Sequence, residues 1–187
     1  MNEWVHAEDR VERAQQLYEH GDYVRAAQEL RQAIEINPYN GSWHFNLALT
    51  LDAVGAHHQA IVAYRRALDL SGDDVEVLNA LGQDLTRVGR YDESLKSFER
   101  IEQIDTEYEP AYCNRIITYT EMGEHEQAEL MFYLARQIKE ECPQCLFNIG
   151  CGLHERRKYR EAIDCWLRSL ELDPDQAGAH ARLADAY

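Results

Sequence analysis

The sequence predicts an all-α protein built as a solenoid of stacked antiparallel helix hairpins. Three observations predict it. A 34-residue period runs along the chain: Gly21, Gly55, Gly89 and Gly123 fall 34 apart, and the next slot holds Arg157. Columns of small and of large residues keep the same period, as interlocking helices require. Composition agrees, with only four prolines and ten glycines in 187 residues and with Ala, Leu, Glu and Arg abundant.

The elements follow from those columns in order. Residues 7–40 make the first unit. Its first helix holds Ala14 and Leu17 and stops at Gly21; its second opens at Tyr23, holds Ala26 and Leu30, and is closed by Pro38. Residues 41–74 repeat this with Ala48, Leu51, Gly55, His57, Ala60 and Tyr64. Residues 75–108 do so with Gly82, Leu85, Gly89, Tyr91, Ser94 and Phe98. Residues 109–142 carry Ile116 where the other units are small, then Tyr119, Gly123, His125, Ala128 and Phe132. Residues 143–176 supply Gly150, Leu153, Arg157, Tyr159, Ala162, Trp166 and Pro174, with a first helix from Pro143 to Glu155. Residues 177–187 open a sixth unit, a partial repeat or capping helix. Leu183, Ala184 and Tyr187 match core columns there and should pack on the fifth unit. The segment reads as cut from a longer protein or a longer array.

Each column has a physical reason. Glycine ends a first helix because a left-handed residue closes the last turn without a Cβ clash. Small residues let the two helices of a hairpin approach, and large ones fill the grooves beside them. Proline follows a second helix because it cannot continue one. One hairpin alone cannot bury its apolar face, so neighbours stack. Two departures stand out in the core column of Leu47, Leu81 and Ile149, where the first unit has Arg13 and the fourth Arg115. Arg13 fits an end helix with no preceding neighbour. Arg115 is expected to snorkel, its stem covered and its head in water.

This pattern resembles the tetratricopeptide repeat, TPR, a 34-residue helix–turn–helix with these residue types in this order. The resemblance covers residues 7–187. It implies a single array over residues 1–187, five full repeats and a partial sixth, wound as a right-handed superhelix. It also implies a non-catalytic scaffold, because first helices in that family line a concave groove that holds a peptide or another protein.

By the resemblance, the groove columns hold Val11, Glu12, Gln15 and Tyr18, then Phe45, Asn46, Leu49 and Asp52. Asn79, Ala80, Gln83 and Arg87 come next, followed by Cys113, Asn114, Ile117 and Glu121, and by Phe147, Asn148, Cys151 and His154. Asn46, Asn114 and Asn148 share one column. An amide has donors and an acceptor and can pair with any peptide backbone; equally, it can bond the neighbouring helix. Phe45, Leu49, Ile117 and Phe147 make the expected groove apolar, as a surface awaiting a ligand is. The expected binding residues are therefore Phe45, Asn46, Leu49, Asn79, Gln83, Cys113, Asn114, Ile117, Phe147, Asn148, Cys151 and His154.

Charge sets the partner class. With 19 Lys plus Arg against 34 Asp plus Glu, the formal charge is −15. Nucleic acid and anionic membrane are disfavoured, and a neutral or basic partner is expected. An acidic heat-shock chaperone tail is argued against. The positions corresponding to the family's lysine and arginine clamp are Val11, Gln15, Asn46, Glu76 and Ala80, without a cation. Self-association through uncapped ends at Met1 and Tyr187 is an alternative. The opening MNEWVHAEDR is too charged for a signal peptide, and no apolar run has the length of a membrane span. Five cysteines make an odd number. Free thiols in a reducing cytoplasm are expected.

The stretch ECPQCLFNIGCGLH, residues 141–154, raises the question of a metal or thiol site. On one straight helix Cys145 and Cys151 would lie about 120° apart around the axis and about 9 Å along it. Tetrahedral zinc, with sulfurs at about 2.3 Å, cannot bridge them. Cys142 and Cys145 alone lack two ligands, so no metal site and no cofactor are predicted. Cys142-Pro-Gln-Cys145 opens a helix whose dipole would lower a thiolate pKa, which leaves a thiol sensor as a further alternative. Cys113 and Cys151 read as small apolar groups lining a surface. No phosphate-cradling loop and no nucleophile–base pair is present, so no enzyme is expected.

Overall fold

The helix expected over residues 143–155 is found at Pro143–Glu155, and the same register holds throughout the described residues. The computed structural model describes residues 3–186, with side chains from residue 6 onward. Among these residues there are eleven helices and no strand. They are α1 (Glu3–Glu19), α2 (Tyr23–Ile36), α3 (Gly41–Ala53), α4 (His57–Ser71), α5 (Val75–Arg87), α6 (Tyr91–Ile104), α7 (Glu109–Glu121), α8 (His125–Ile138), α9 (Pro143–Glu155), α10 (Tyr159–Leu172) and α11 (Ala177–Ala186).

The helices fall into two compact units, residues 1–104 and residues 105–187. In the first, α1/α2, α3/α4 and α5/α6 are hairpins; α2 also packs on α3, and α4 on α5. In the second, α7/α8 and α9/α10 are hairpins and α11 packs on α10. No described helix is long and apolar enough to cross a membrane.

The turns inside hairpins explain the glycine column. Gly21, Gly55, Gly89 and Gly123 have φ of 78°, 74°, 75° and 76°, and Arg157 takes the same left-handed state at 61°. The residue after each then donates its N–H back to the large-residue column. Asp22 N reaches Leu17 O at 2.8 Å, Ala56 N reaches Leu51 O at 2.9 Å, and Lys158 N reaches Leu153 O at 3.0 Å. This six-to-one bond satisfies a carbonyl that the helix end leaves open. At the N-termini, Asn40 Oδ1 accepts from Trp43 N at 3.2 Å, and Asp74 Oδ1 accepts from Glu76 N and Val77 N at 2.9 and 3.1 Å.

The small and large columns meet as packing requires. A Cβ on Gly82 would lie 2.5 Å from Phe98 Cζ, and one on Gly150 would lie 2.6 Å from Trp166 Nε1, so α5/α6 and α9/α10 close over bare backbone. Ala14, Ala26, Ala48 and Ala60 are buried in the first unit, beside Leu30, Tyr64 and Leu85. In the second unit Tyr112, Ile116, Met131, Ala135 and Ile149 make one cluster, and Ala162, Trp166, Ala179 and Leu183 another. Arg–carboxylate pairs on exposed flanks join successive hairpins, as between Arg65 and Glu93, Arg156 and Glu129, and Arg168 and Glu141.

Two expectations need correction. Arg115 does not snorkel; only 8% of it is exposed, so α7 carries a buried guanidinium in a column otherwise apolar. Ala184 is exposed on α11, because Ala179 and Leu183 fill the contact with α10. Arg13 is exposed, as expected of an end helix, and pairs with Glu29. Tyr187 lies outside the described residues, as does Met1.

Candidate functional site

In the first unit the first helices of adjacent repeats enclose a cleft of about 440 Å³. Val11, Gln15 and Tyr18 of α1 form one wall, Asn46 and Leu49 of α3 the other, and Ala14 and Leu30 the floor. Ala14 and Leu30 are small-column and large-column residues, so the spacing that packs the hairpin also sets the depth of the cleft. Asn46 and Tyr18 are exposed; Val11 and Leu49 are half-buried. Of the other residues expected here, Phe45 turns toward α4, its ring 6.0 Å from that of Tyr64. Asn79 and Gln83 are half-buried on α5 and do not line this cleft.

At the far end of α3 and α5 the groove columns supply charges that pair among themselves. Arg87 Nη1 donates to Asp84 Oδ1 at 2.8 Å and to Asp52 Oδ1 at 2.9 Å. His57 Nδ1 lies 3.0 Å from the first carboxylate and 3.1 Å from the second. Asp84 is fully buried, and desolvation raises its pKa against the opposing effect of the Arg87 hydrogen bond. Nearby, Tyr64 Oη is buried with no hydrogen-bond partner among the described residues. Its pKa is raised, first by burial and then by Asp52 and Asp84. Arg87 already fills the cation's place in this cluster.

In the second unit the expected groove is largely closed. Asn148 is buried; its Nδ2 donates to Cys113 O at 2.9 Å and its Oδ1 accepts from Gln144 Nε2 at 2.8 Å. Its amide therefore bonds the neighbouring helix. Phe147 packs under α11, where a Cβ on Gly178 would lie 2.9 Å from its ring. The His154 ring meets that of Tyr159 edge-on and lies tilted against Trp166, at 5.1 and 5.6 Å between ring centroids. Cys151 is half-buried against the α10/α11 cluster. Cys113 is buried rather than groove-lining, which corrects the reading of it as a surface group. Asn114 and Ile117 remain half-buried on α7.

Cys113 belongs instead to a cluster that the sequence pattern divides between two helices. Its Sγ meets that of Cys145 as a disulfide, with Cα atoms 5.0 Å apart. Cys142 Sγ is 3.5 Å from Cys113 Sγ and accepts from Cys145 N at 3.3 Å as the cap of α9. Glu109 Oε1 lies 2.8 Å from Cys113 Sγ and 3.2 Å from Cys145 Sγ. Burial, then Glu109, pushes the Cys142 thiol up to about 11, opposite to the lowering expected from the helix dipole. The thiol-sensor reading loses its activated thiolate. Glu109 was not foreseen. The signal was stacking geometry: residues of one first helix lie beside those of the next at separations near one repeat, here 29, 32 and 36.

Two sequence profiles of the tetratricopeptide repeat match the chain, at residues 17–83 and 143–176. Together they cover more than half of it, and the chain belongs to the tetratricopeptide repeat family. Anaphase-promoting complex subunit 3 of Schizosaccharomyces pombe is 23% identical over 153 residues, 82% of this chain and 23% of that protein. Superkiller protein 3 of the same yeast is 30% identical over 141 residues, 70% of this chain and 10% of that protein. The chain thus spans under a quarter of the length of either curated relative. Among solved structures, TTC0263, a thermophilic TPR protein of Thermus thermophilus, superposes with a TM-score of 0.76 at 20% identity, covering 96% of this chain and 98% of that one. MamA gives 0.75 at 20% identity, covering 91% and 93%. YrrB, described as a TPR protein with an unusual peptide-binding site, gives 0.67 at 15% identity, covering 92% and 90%. Such identities establish the shared fold. Proteins of this family generally hold protein partners and are generally non-catalytic.

Proposed function

We propose that this chain is a non-catalytic scaffold that holds a neutral or basic, partly apolar peptide segment of a partner protein, and that the first unit is where it does so. The observation that carries this reading is the cleft between α1 and α3. It sets an exposed amide, Asn46, beside Tyr18, Val11 and Leu49. Apolar walls with one or two directing polar groups are what a peptide side chain and its backbone need. The formal charge of −15 favours a basic or neutral ligand over an acidic one. A cytoplasmic location belongs to the same proposal. Self-association through uncapped ends finds little support, since the exposed faces of α1 and α11 carry Glu8, Asp9, Glu12, His180, Arg182 and Asp185.

The test is selection of peptides from a random display library on the wild-type chain, with the Tyr18→Ala, Leu49→Asp double variant as counter-screen. Circular dichroism must first show both to be folded. Peptides enriched in Lys, Arg and apolar residues, bound by wild type and lost by the variant, are the expected result. Peptides bound equally by both would move recognition away from the cleft.

A further inference from the structure

We propose that Glu109, Cys113, Cys142 and Cys145 are the four ligands of a structural site for one thiophilic divalent cation of the zinc class. The two ligands that Cys142 and Cys145 lack on their own α9 terminus are supplied by α7, and all four donor atoms lie within 4.8 Å of one another. Three soft sulfurs and one carboxylate oxygen, with no position left for water, make a closed zinc set. The spacings are those of metal clasps. Cys142 and Cys145 are a C-x2-C pair at a helix start, and Glu109 and Cys113 are one helical turn apart on α7.

Geometry and surroundings agree. Sulfurs bound to one tetrahedral zinc stand about 3.7 Å apart, from a Zn–S bond of about 2.3 Å. Cys113 and Cys142 are already at 3.5 Å. All three cysteines are buried. The first turns of α7 and α9 both end at the cluster, so two helix N-termini offset its negative charge. The N–H of Cys145 on Cys142 Sγ is the kind of outer bond that orients a thiolate ligand.

The Cys113–Cys145 disulfide is the oxidised form of this cluster. A disulfide strips the two sulfurs that face Glu109 Oε1 of any proton to give, while the third thiol, Cys142, stays buried beside them. Reduction by a dithiol adds two electrons and two protons and returns two thiols. The cation then takes the place of three thiol protons, which pass to solvent, and the carboxylate completes the shell. Cys151 and Cys165 lie outside the set and stay free. The site lies wholly in the second unit and does not depend on the cleft reading.

The experiment uses the full chain, reduced and stripped with chelator, titrated with Co²⁺ and then Zn²⁺. One equivalent of Co²⁺ should bind with thiolate-to-cobalt absorption and tetrahedral visible bands, and Zn²⁺ should displace it. Native mass spectrometry should show one zinc per chain. Cys142→Ser should weaken binding by about a hundredfold or more, and Glu109→Gln by roughly 10–100-fold. Cys151→Ser and Cys165→Ser should leave stoichiometry and spectrum unchanged. Glu109 is only half-buried, so its variant keeps the test informative if a cysteine variant fails to fold. The proposal is overturned if the reduced chain binds neither metal at micromolar concentration, or if Glu109→Gln and Cys142→Ser bind as wild type does. It is equally overturned if chain isolated without added reductant is metal-free, two hydrogens light, and refuses metal after reduction.

Discussion

Asn148 Nδ2 donates to the backbone carbonyl of Cys113 at 2.9 Å, tying α9 to α7 through a side chain that also accepts from Gln144. Asn46 stands in the same repeat column, yet it is exposed on the wall of a cleft. Equivalent position therefore does not mean equivalent work. Gln176 Nε2 reaches Gln144 Oε1 at 3.3 Å, so the amide chain extends from α7 to the residue that precedes α11.

Asn148→Ala should cost about 0.5–1.5 kcal/mol, because it removes the buried side-chain hydrogen bond that ties α9 to α7. Asn46→Ala should stay within about 0.5 kcal/mol, as exposed substitutions do. Urea unfolding of the two variants decides the matter. Equal, small losses would return Asn148 to the role of a ligand-facing amide.

Arg157→Gly should stabilise the chain by about 0.5–1 kcal/mol. Arg157 holds φ at 61°, a state that costs a residue with a Cβ about 1–2 kcal/mol, against which the extra freedom of unfolded glycine sets about 0.5–1 kcal/mol. Gly123→Ala, at φ 76°, should lose stability by the same logic. Differential scanning would read the pair as midpoint shifts of opposite sign. A fall for Arg157→Gly would mean that the arginine side chain contributes more than its backbone strain costs.

Helices, turns and core were legible because the period repeats each physical demand several times. The pairing of Gly82 with Phe98 and of Gly150 with Trp166 is implicit in that period, since a missing Cβ and a large ring recur at fixed offsets. In the first unit the columns placed Asn46 and Leu49 on the wall of an open cleft. In the second, the residue types in the columns were right but their environments were set by α11 and by the cysteine cluster, neither of which periodicity describes. Phe147 is covered because Gly178 lets α11 approach it. Glu109 and Cys113 are invisible to a ligand pattern read along one helix, because stacked first helices share residues about one repeat apart.

Arg87→Ala should cost about 1–3 kcal/mol, since it removes a hydrogen-bonded cation from the fully buried Asp84 while Asp52 stays half-exposed. The pH dependence has a definite sign. Asp84 is raised in the folded state, so the fold binds this proton more tightly than the unfolded chain does. Through this group, stability rises as pH falls from neutral through the folded pKa toward the ordinary carboxylate range. Without Arg87 the pKa rises further, and the acid-side gain should be larger in the variant than in wild type. Denaturation at pH 7 and pH 5 measures it. A variant whose loss is the same at both would show that the buried carboxylate does not take up the proton.

Tyr64→Phe should remove an alkaline weakness without harming the fold. The phenol is fully buried and its hydroxyl has no described partner. Burial, with Asp52 and Asp84 behind it, holds the pKa above the usual tyrosine value. Above about pH 10 the unfolded chain loses this proton while the folded chain keeps it. Stability from this group is then full below pH 10 and declines as pH climbs, by up to about 1.4 kcal/mol per pH unit. Phenylalanine fills the same space, keeps the contact with Phe45, and leaves no hydroxyl to desolvate. At neutral pH the variant should equal wild type or exceed it by about 1 kcal/mol. Guanidinium unfolding from pH 8 to 11 would show the two curves diverging above pH 10, with wild type falling more steeply by one proton. Parallel curves would mean that the hydroxyl ionises in the folded state as readily as in the unfolded one.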